Sequence, residues 1–155
     1  MKDSRRSFLN TAAATAGGLA LGAALSSTEK AQANVVEINA MAPTPEQMQA
    51  FLDLPQRPVV MVNLLKFKPD GGAEEYGKYA AGVQPLLQKV GAKSLFAGQA
   101  MICLVGNGDW DVIALVEYPT PMALSQMVNS TEYQAIHHHR EAGLEGQVNY
   151  AVFQN

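Results

Sequence analysis

The chain has 155 residues, of which 48% are hydrophobic, and its 11 basic and 14 acidic side chains give a formal net charge of −3. This length is typical of one small domain with an ordinary hydrophobic core. The acidic balance, without a basic patch, argues against nucleic-acid binding through backbone phosphates.

The first 33 residues have the pattern of an export signal. Ser4-Arg5-Arg6-Ser7-Phe8-Leu9 is a twin-arginine signature, a run of small and apolar residues from Thr11 to Leu25 follows, and Ala31-Gln32-Ala33 is a signal-peptidase site. The apolar run, at about 15 residues, is shorter than the ~20 that a transmembrane helix needs. We therefore predict export through the twin-arginine translocase, cleavage after Ala33, a periplasmic or otherwise exported protein and no stable membrane anchor. Retention as an anchor is the alternative.

The mature chain, residues 34–155, is more acidic than the whole. Four of the 11 basic and two of the 14 acidic residues lie in the signal, which leaves seven against twelve and a net charge of −5. Its one cysteine, Cys103, cannot form a disulfide within the chain. Because it lies in the apolar run Met101-Ile102-Cys103-Leu104-Val105, we predict a buried strand residue rather than a catalytic thiol.

Residues 34–57 read as a leader segment and residues 58–155 as the main domain. Thr44 and Pro45 suit the N-cap and first position of a short helix, which Pro55 and Pro58 end. Its apolar stripe is Met48, Phe51 and Leu52.

Val59 to Phe67 is the first strong strand pattern. Alternation places Val60, Val62 and Leu64 on one face, and Met61, Asn63, Leu65 and Phe67 on the other. Both faces are mostly apolar, so both should be covered.

A helix follows from Ala73 to Val90, where Pro85 should kink or split it and Gly91 should end it. Its apolar stripe is Tyr76, Tyr79, Val83, Leu86 and Val90.

The second half reads as a hairpin, a broken helix and a last strand. The hairpin joins Ser94–Val105 to Trp110–Tyr118 through a tight Gly/Asn turn at 106–109. Thr120-Pro121 begins a helix, Asn129-Ser130-Thr131 interrupts it, and Ser130 caps a second helix through Leu144. Gly146 then breaks that helix before a strand over 148–153.

This order predicts an α+β fold: a ferredoxin-like βαββαβ split unit with an extra N-terminal helix. Two helices cover one face of the four-stranded sheet, and we expect Met61, Leu65 and Phe67 on the other. So much exposed apolar surface is unusual for a monomer, so we predict a homodimer whose two sheets form a barrel.

Three stretches resemble a known family: Val62-Asn63-Leu64-Leu65-Lys66-Phe67, Asp109-Trp110-Asp111 leading to Val116-Glu117-Tyr118-Pro119, and Glu132-Tyr133-Gln134 followed by His139-Arg140. From about Pro58 to Phe153 the chain resembles the domain of unknown function 1330 family, part of the dimeric α/β-barrel superfamily. The resemblance implies the fold and a dimer. Superfamily relatives include cofactor-free monooxygenases, isomerases and haem-binding barrels, so any activity follows only by analogy.

The resemblance departs at His137, His138 and His139, where the family more often has small or mixed residues. Neighbouring helical side chains diverge by about 100°, so at most one or two of these imidazoles can face a common point. With no other His in the chain, we predict no metal site. A haem or metal barrel using these histidines is the weakest alternative.

Tyr133, His137 and Arg140 share one helix face and could bind an anionic or enolate-like ligand. The alternative is that Tyr133 is core and Arg140 pairs with Glu117 or Asp111. Asn63 interrupts an apolar face and must bond either a ligand or a neighbouring strand or subunit.

Four further side chains are candidate ligand contacts: Trp110, Asp111, Glu117 and Phe67. Asp111 and Glu117 share a strand face, where a buried carboxylate could act as a base; Trp110 more often anchors packing. We predict a barrel that binds a small, partly apolar organic molecule without a cofactor. A cofactor-independent monooxygenase- or isomerase-like enzyme, with Asn63, His137 and Arg140 as catalytic residues, is the alternative.

Overall fold

The computed structural model of the protein describes residues 41–155, so the predicted signal peptide and the first residues of the leader lie outside the described part. The elements, in chain order, are α1 (Pro45–Leu52), β1 (Val59–Phe67), α2 (Gly72–Lys89), β2 (Lys93–Gln99), β3 (Val112–Tyr118), α3 (Pro121–Val128), α4 (Thr131–Gly143) and β4 (Leu144–Val152). The strands form an antiparallel sheet in the order β2-β3-β1-β4. The predicted α+β fold with an extra N-terminal helix is confirmed.

Helix α1 begins at the predicted cap. The Thr44 hydroxyl accepts a hydrogen bond from the Gln47 amide at 3.2 Å, and the Gln47 side chain accepts one from the Thr44 amide at 2.9 Å. This reciprocal pair is a capping box. After the helix, the Gln56 side chain accepts from the Met122 amide at 3.3 Å, and the Arg57 guanidinium lies 4.1 Å from the centre of the Phe153 ring. These contacts fix the leader to α3 and to the end of the chain.

Strand β1 has the predicted bounds, but the assignment of its two faces was wrong. Leu65 is fully buried, and the Phe67 ring lies 5.3 Å from the Tyr76 ring of α2, so the face with Met61, Asn63, Leu65 and Phe67 packs under the helices. The open face is the other one, with Val62 and Leu64. Alternation separates the two faces but does not say which of them the helices cover.

The open face continues across the sheet. Cross-strand pairing puts Leu115 and Ile113 of β3 beside Val62 and Leu64, and Tyr150 of β4 beside Val62. The rings and methyl groups at its edges are well exposed: Phe96 at 54%, Tyr150 at 58% and Val152 at 41%.

Helix α2 runs without interruption through Pro85, which the sequence predicted would kink or split it. Its buried residues include Tyr79, Val83 and Leu87, the last of which the predicted stripe omitted. The chain leaves the helix at Gly91, whose φ of +74° suits glycine.

The hairpin differs most from the prediction. Strand β2 ends at Gln99 and β3 begins at Val112, so twelve residues join them instead of a tight turn. Residues 101–105, which we name the apolar arm, form no strand, and their large hydrophobic side chains are 79–89% exposed. Cys103 is therefore exposed, not buried.

The base of this connection is firmly held. The Asp111 carboxylate accepts from the Phe67 amide at 2.6 Å and from the Lys66 ammonium at 3.3 Å, and the Asp111 amide donates to the Leu65 carbonyl at 2.8 Å. The apolar arm thus projects from a fixed point.

Helices α3 and α4 confirm the predicted interruption. Thr120 caps α3, and the Ser130 hydroxyl caps α4 by accepting from the Tyr133 amide at 3.2 Å. Helix α4 ends at Gly143, earlier than predicted, and β4 begins at once. Gly143 lies so close to α2 that a Cβ there would meet the Tyr76 nitrogen at 2.7 Å. None of the helices within residues 41–155 is long and apolar enough to cross a membrane.

Candidate functional site

A cavity of about 710 Å³ lies between the helix-facing side of the sheet, the helix pair α2 and α4, and the leader. That volume is in the range of small-molecule sites. Apolar side chains form much of its wall, and polar groups gather toward α4 and β4. The residues that line the cavity include Met61, Asn63, Tyr76, Tyr79, Tyr133, His137, Arg140, Gln147 and Asn149.

Arg140 is the cation of the cavity. Its guanidinium donates to the Tyr76 hydroxyl at 3.4 Å and, through Nη2, to the Gln147 side-chain oxygen in a short contact. It also lies 5.2 Å from the centre of the Tyr79 ring and 5.8 Å from that of Tyr76. These are favourable cation–π distances.

No carboxylate of the described residues lies within 4.0 Å of an Arg140 nitrogen. Of the predicted alternative, the part that makes Tyr133 a core residue agrees with its 7% exposure. The pairing of Arg140 with Glu117 or Asp111 is wrong, because Asp111 binds Lys66, and Glu117 lies 3.9 Å from Lys93 on the open face. Among the described residues Arg140 therefore has no counter-charge in a mostly apolar site, and its hydrogen bonds to Tyr76 and Gln147 use two of its five N–H donors.

Gln147 links Arg140 to the leader. This side chain is 7% exposed, and while its oxygen accepts from Arg140, its amide nitrogen donates to the Met41 carbonyl at 3.0 Å. The leader therefore closes one side of the cavity, next to the cation.

Two of the tyrosines beside Arg140, Tyr76 and Tyr79, are neutral. Burial raises the pKa of the Tyr79 hydroxyl well above its ordinary value, against the opposing effect of Arg140. Burial likewise raises the pKa of Tyr76. The Tyr79 and Tyr133 hydroxyls lie 3.5 Å apart, and their rings pack edge to face at 6.1 Å. Hydroxyls that stay protonated can donate to an anion, and they bring no negative charge of their own to Arg140.

Two asparagines supply amide groups on the sheet side. The Asn63 amide nitrogen donates to the carbonyls of Met61 at 3.1 Å and Ala114 at 3.2 Å, while its oxygen accepts from Asn149 at 2.5 Å. The neighbouring strands therefore satisfy Asn63. Its role toward a ligand remains a prediction, and Asn149 is the more exposed of the two.

The three histidines do not all reach the cavity, and the rings of His138 and His139 lie 4.0 Å apart. Only His137 lines the cavity, with its ring 5.7 Å from that of Tyr133 and its Nε2 3.8 Å from the Glu141 carboxylate. His139 instead contacts Glu75 of α2 at 2.8 Å, and His138 is exposed. The hydrogen bonds of Lys78 and His139 lower the pKa of the Glu75 carboxyl to about 2. Within residues 41–155 no group of three or more metal-ligating side chains converges.

The model of the family called domain of unknown function, DUF1330, matches residues 71–152, more than half of the chain. The chain belongs to the DUF1330 family. No curated protein matches it.

Two crystal structures of a protein of unknown function from Rhodopseudomonas palustris are similar to this DUF1330 chain, both at 27% identity. The match to one structure covers 74% of this chain and 95% of that protein, with a TM-score of 0.69. The match to the methylated form covers 77% of this chain and 97% of that protein, with a TM-score of 0.71. A dimeric ferredoxin-like protein of unknown function from Jannaschia sp. CCS1 shares the fold at 10% identity and a TM-score of 0.53, covering 63% of this chain and 99% of its own.

Four predicted ligand contacts of the DUF1330 chain lie outside the cavity. Asp111 and Trp110 are at the base of the long connection, Glu117 faces the open side of the sheet, and Phe67 packs on Tyr76 in the core. Phe67 shares the helix-facing side of β1 with Asn63 but packs against α2, whereas Glu117 pairs with Val60 on the opposite face of the sheet.

The prediction also missed several side chains that the DUF1330 fold brings to Arg140. Tyr76 and Tyr79 were read only as an apolar stripe, and Gln147 fell outside the predicted last strand. The available signal was the tyrosine content of that stripe, because buried hydroxyls need partners.

Proposed function

We propose that this protein binds a small organic anion with an apolar body in the cavity of each protomer. The observation that carries the proposal is the Arg140 guanidinium, which enters a mostly apolar cavity beside neutral tyrosines and meets no carboxylate among the described residues. A carboxylate ligand would supply the missing charge, and the guanidinium can hold it with two parallel hydrogen bonds.

Calorimetric titration with phenylacetate and with its neutral isostere phenylacetamide tests the proposal. A hydrogen bond to a charged group contributes about 1.5–3 kcal/mol, so phenylacetate should bind about 10- to 150-fold more tightly than the amide. Arg140→Gln should remove that preference. Arg57→Gln, which changes an arginine over the Phe153 ring outside the cavity, should keep it. Equal affinity of the wild type for acid and amide would refute the anion site.

We also propose a homodimer that pairs the open faces of two sheets. Its support is the set of exposed apolar residues on that face, among them Phe96 and Tyr150, together with the related protein from Jannaschia, which is described as dimeric. Burying such a face is strongly favourable. Sedimentation equilibrium at micromolar concentration should give twice the chain mass, and a monomer would contradict this part.

Catalysis of proton transfer is the second candidate function, and the position of His137 favours it. Its imidazole lines the same cavity as Arg140, and its nearest described carboxylate is 3.8 Å away. For an enolisable ligand such as phenylpyruvate, His137 would remove the proton on the carbon next to the carbonyl, leave the electron pair as an enolate near Arg140, and return a proton. Deuterium exchange in D₂O, followed by NMR, should then exceed the buffer rate and should fall to it in His137→Gln, while phenylacetate still binds.

Export is the remaining part of the proposal, and it is supported by the signal pattern in residues 1–33. In a bacterium with an active twin-arginine translocase, the periplasmic fraction should contain a chain that begins at Asn34, by mass spectrometry. Replacing both Arg5 and Arg6 by Lys should leave the full-length chain in the cytoplasm. Periplasmic accumulation of that double variant would contradict this route.

A further inference from the structure

The apolar arm, residues 101–105, is the most exposed hydrophobic stretch of the described chain. Met101 is 84% exposed, Ile102 79%, Leu104 85% and Val105 89%. No main-chain hydrogen bond joins these five residues to another described residue, since the β2–β3 ladder ends with the Ala100 amide donating to the Asp111 carbonyl at 3.0 Å. Such a stretch left in water is costly for a monomer.

The composition of the arm contradicts its conformation. Ile, Cys, Leu and Val in succession favour a buried strand, which is why the sequence predicts a strand through Val105. A local preference for β-structure without a partner strand in the same chain indicates that the partner strand lies in another chain.

The topology offers one strand that suits this role. β2 and β4 are the two edges of the sheet, and the arm continues directly from the end of β2. When two such sheets face each other across a two-fold axis that runs along the strands, the β2 edge of one comes close to the β4 edge of the other, and pairing there closes the barrel. The exposed Tyr150 and Val152 of β4 supply apolar surface beside that edge.

We infer that the apolar arm of each protomer forms a strand against the β4 edge of a second copy. The inference rests on the proposed homodimer and adds to it the segments that pair. The salt bridge and amide contacts of Asp111, with the hydrogen bond from the Ala100 amide to the Asp111 carbonyl, fix the base from which the arm extends. Each dimer would contain two such strand pairs by symmetry.

Hydrogen–deuterium exchange of the mature protein, at a concentration where sedimentation shows the dimer, tests the inference. Amides paired in a strand exchange slowly, so peptides covering 101–105 should exchange at least about tenfold more slowly than an unstructured peptide of the same sequence. Rapid exchange of the arm in a proven dimer would overturn the inference and leave the homodimer standing. A monomer would overturn both.

A double variant identifies the strand that receives the arm. Ile102→Asp with Leu104→Asp should weaken dimerisation about tenfold or more, because charged residues cannot replace the buried ones, and should speed exchange in β4. Met122→Asp, at an exposed position on α3, is the matched control and should change neither. If the double variant weakens the dimer while β4 exchange stays unchanged, the arm packs elsewhere and the pairing with β4 is wrong.

Discussion

Two glycines, Gly77 on α2 and Gly143 on α4, should respond oppositely in stability to substitution by alanine. A Cβ on Gly143 would lie 2.7 Å from the Tyr76 nitrogen and 2.8 Å from the Gly72 carbonyl oxygen, and both are main-chain atoms that cannot rotate away. A Cβ on Gly77, inside α2, would meet no atom within 4 Å. We expect Gly143→Ala to destabilise the protein and Gly77→Ala to stabilise it.

The magnitudes follow from packing and from backbone entropy. Forcing a methyl group between two packed helices typically costs about 1–3 kcal/mol. Replacing a glycine in an open helix interior with alanine gains about 0.5–1 kcal/mol. The two variants should therefore differ in unfolding free energy by about 1.5–4 kcal/mol.

Urea unfolding followed by circular dichroism measures this difference. All three proteins must be compared at one protein concentration, because a dimer gains stability with concentration. Gly143→Ala should also weaken phenylacetate binding, since Arg140 lies one turn before Gly143 on α4. If the two alanine variants prove equally stable, α2 and α4 do not approach as closely as described, and the position of Arg140 loses its support.

Three other predictions concern single side chains. Gln147→Glu gives Arg140 a carboxylate of its own, so phenylacetate affinity should fall about tenfold or more; unchanged affinity in calorimetry would show that the ligand does not use Arg140. Glu75→Gln should lower the melting temperature at about pH 6. Because the pKa of Glu75 in the folded protein is lowered from 4.5 to about 2, its contribution to stability is complete above pH 4.5 and is lost as the pH falls to about 2. In thermal unfolding across that range, the difference in melting temperature between wild type and variant should therefore shrink as the pH falls; a difference independent of pH would contradict this. Asp111→Ala should cost about 1–3 kcal/mol in urea unfolding because it leaves the Phe67 amide unpaired. Asp109→Ala, at a 94% exposed side chain, should cost less than about 1 kcal/mol, and equal losses would refute the role of Asp111.

Local chemistry made much of the fold predictable. Strand β1 has its predicted bounds because a run of β-branched and apolar residues lies between Pro58 and the turn at Pro69. The N-caps Thr44, Thr120 and Ser130 were predictable because a side-chain oxygen there satisfies an amide that the helix leaves free.

Non-local packing set the limits of that prediction. Period two cannot say which face of β1 the helices cover. It also cannot show that Phe67, on the same face as Asn63, packs on Tyr76 and does not line the cavity. The contact between Arg140 and Gln147 joins α4 to β4, and it depends on α4 ending at Gly143, where the fold needs a close approach to α2. The arm was predicted as a strand from composition alone, without regard to where its partner lies.

A crystal structure of the mature protein grown with phenylacetate is the most direct measurement of ligand binding at the cation. We predict electron density for the carboxylate within about 3 Å of the Arg140 guanidinium, with the phenyl ring among the apolar side chains of the same cavity. Density for phenylacetate only on the open face of the sheet, or an empty cavity at saturating ligand, would contradict the proposed site.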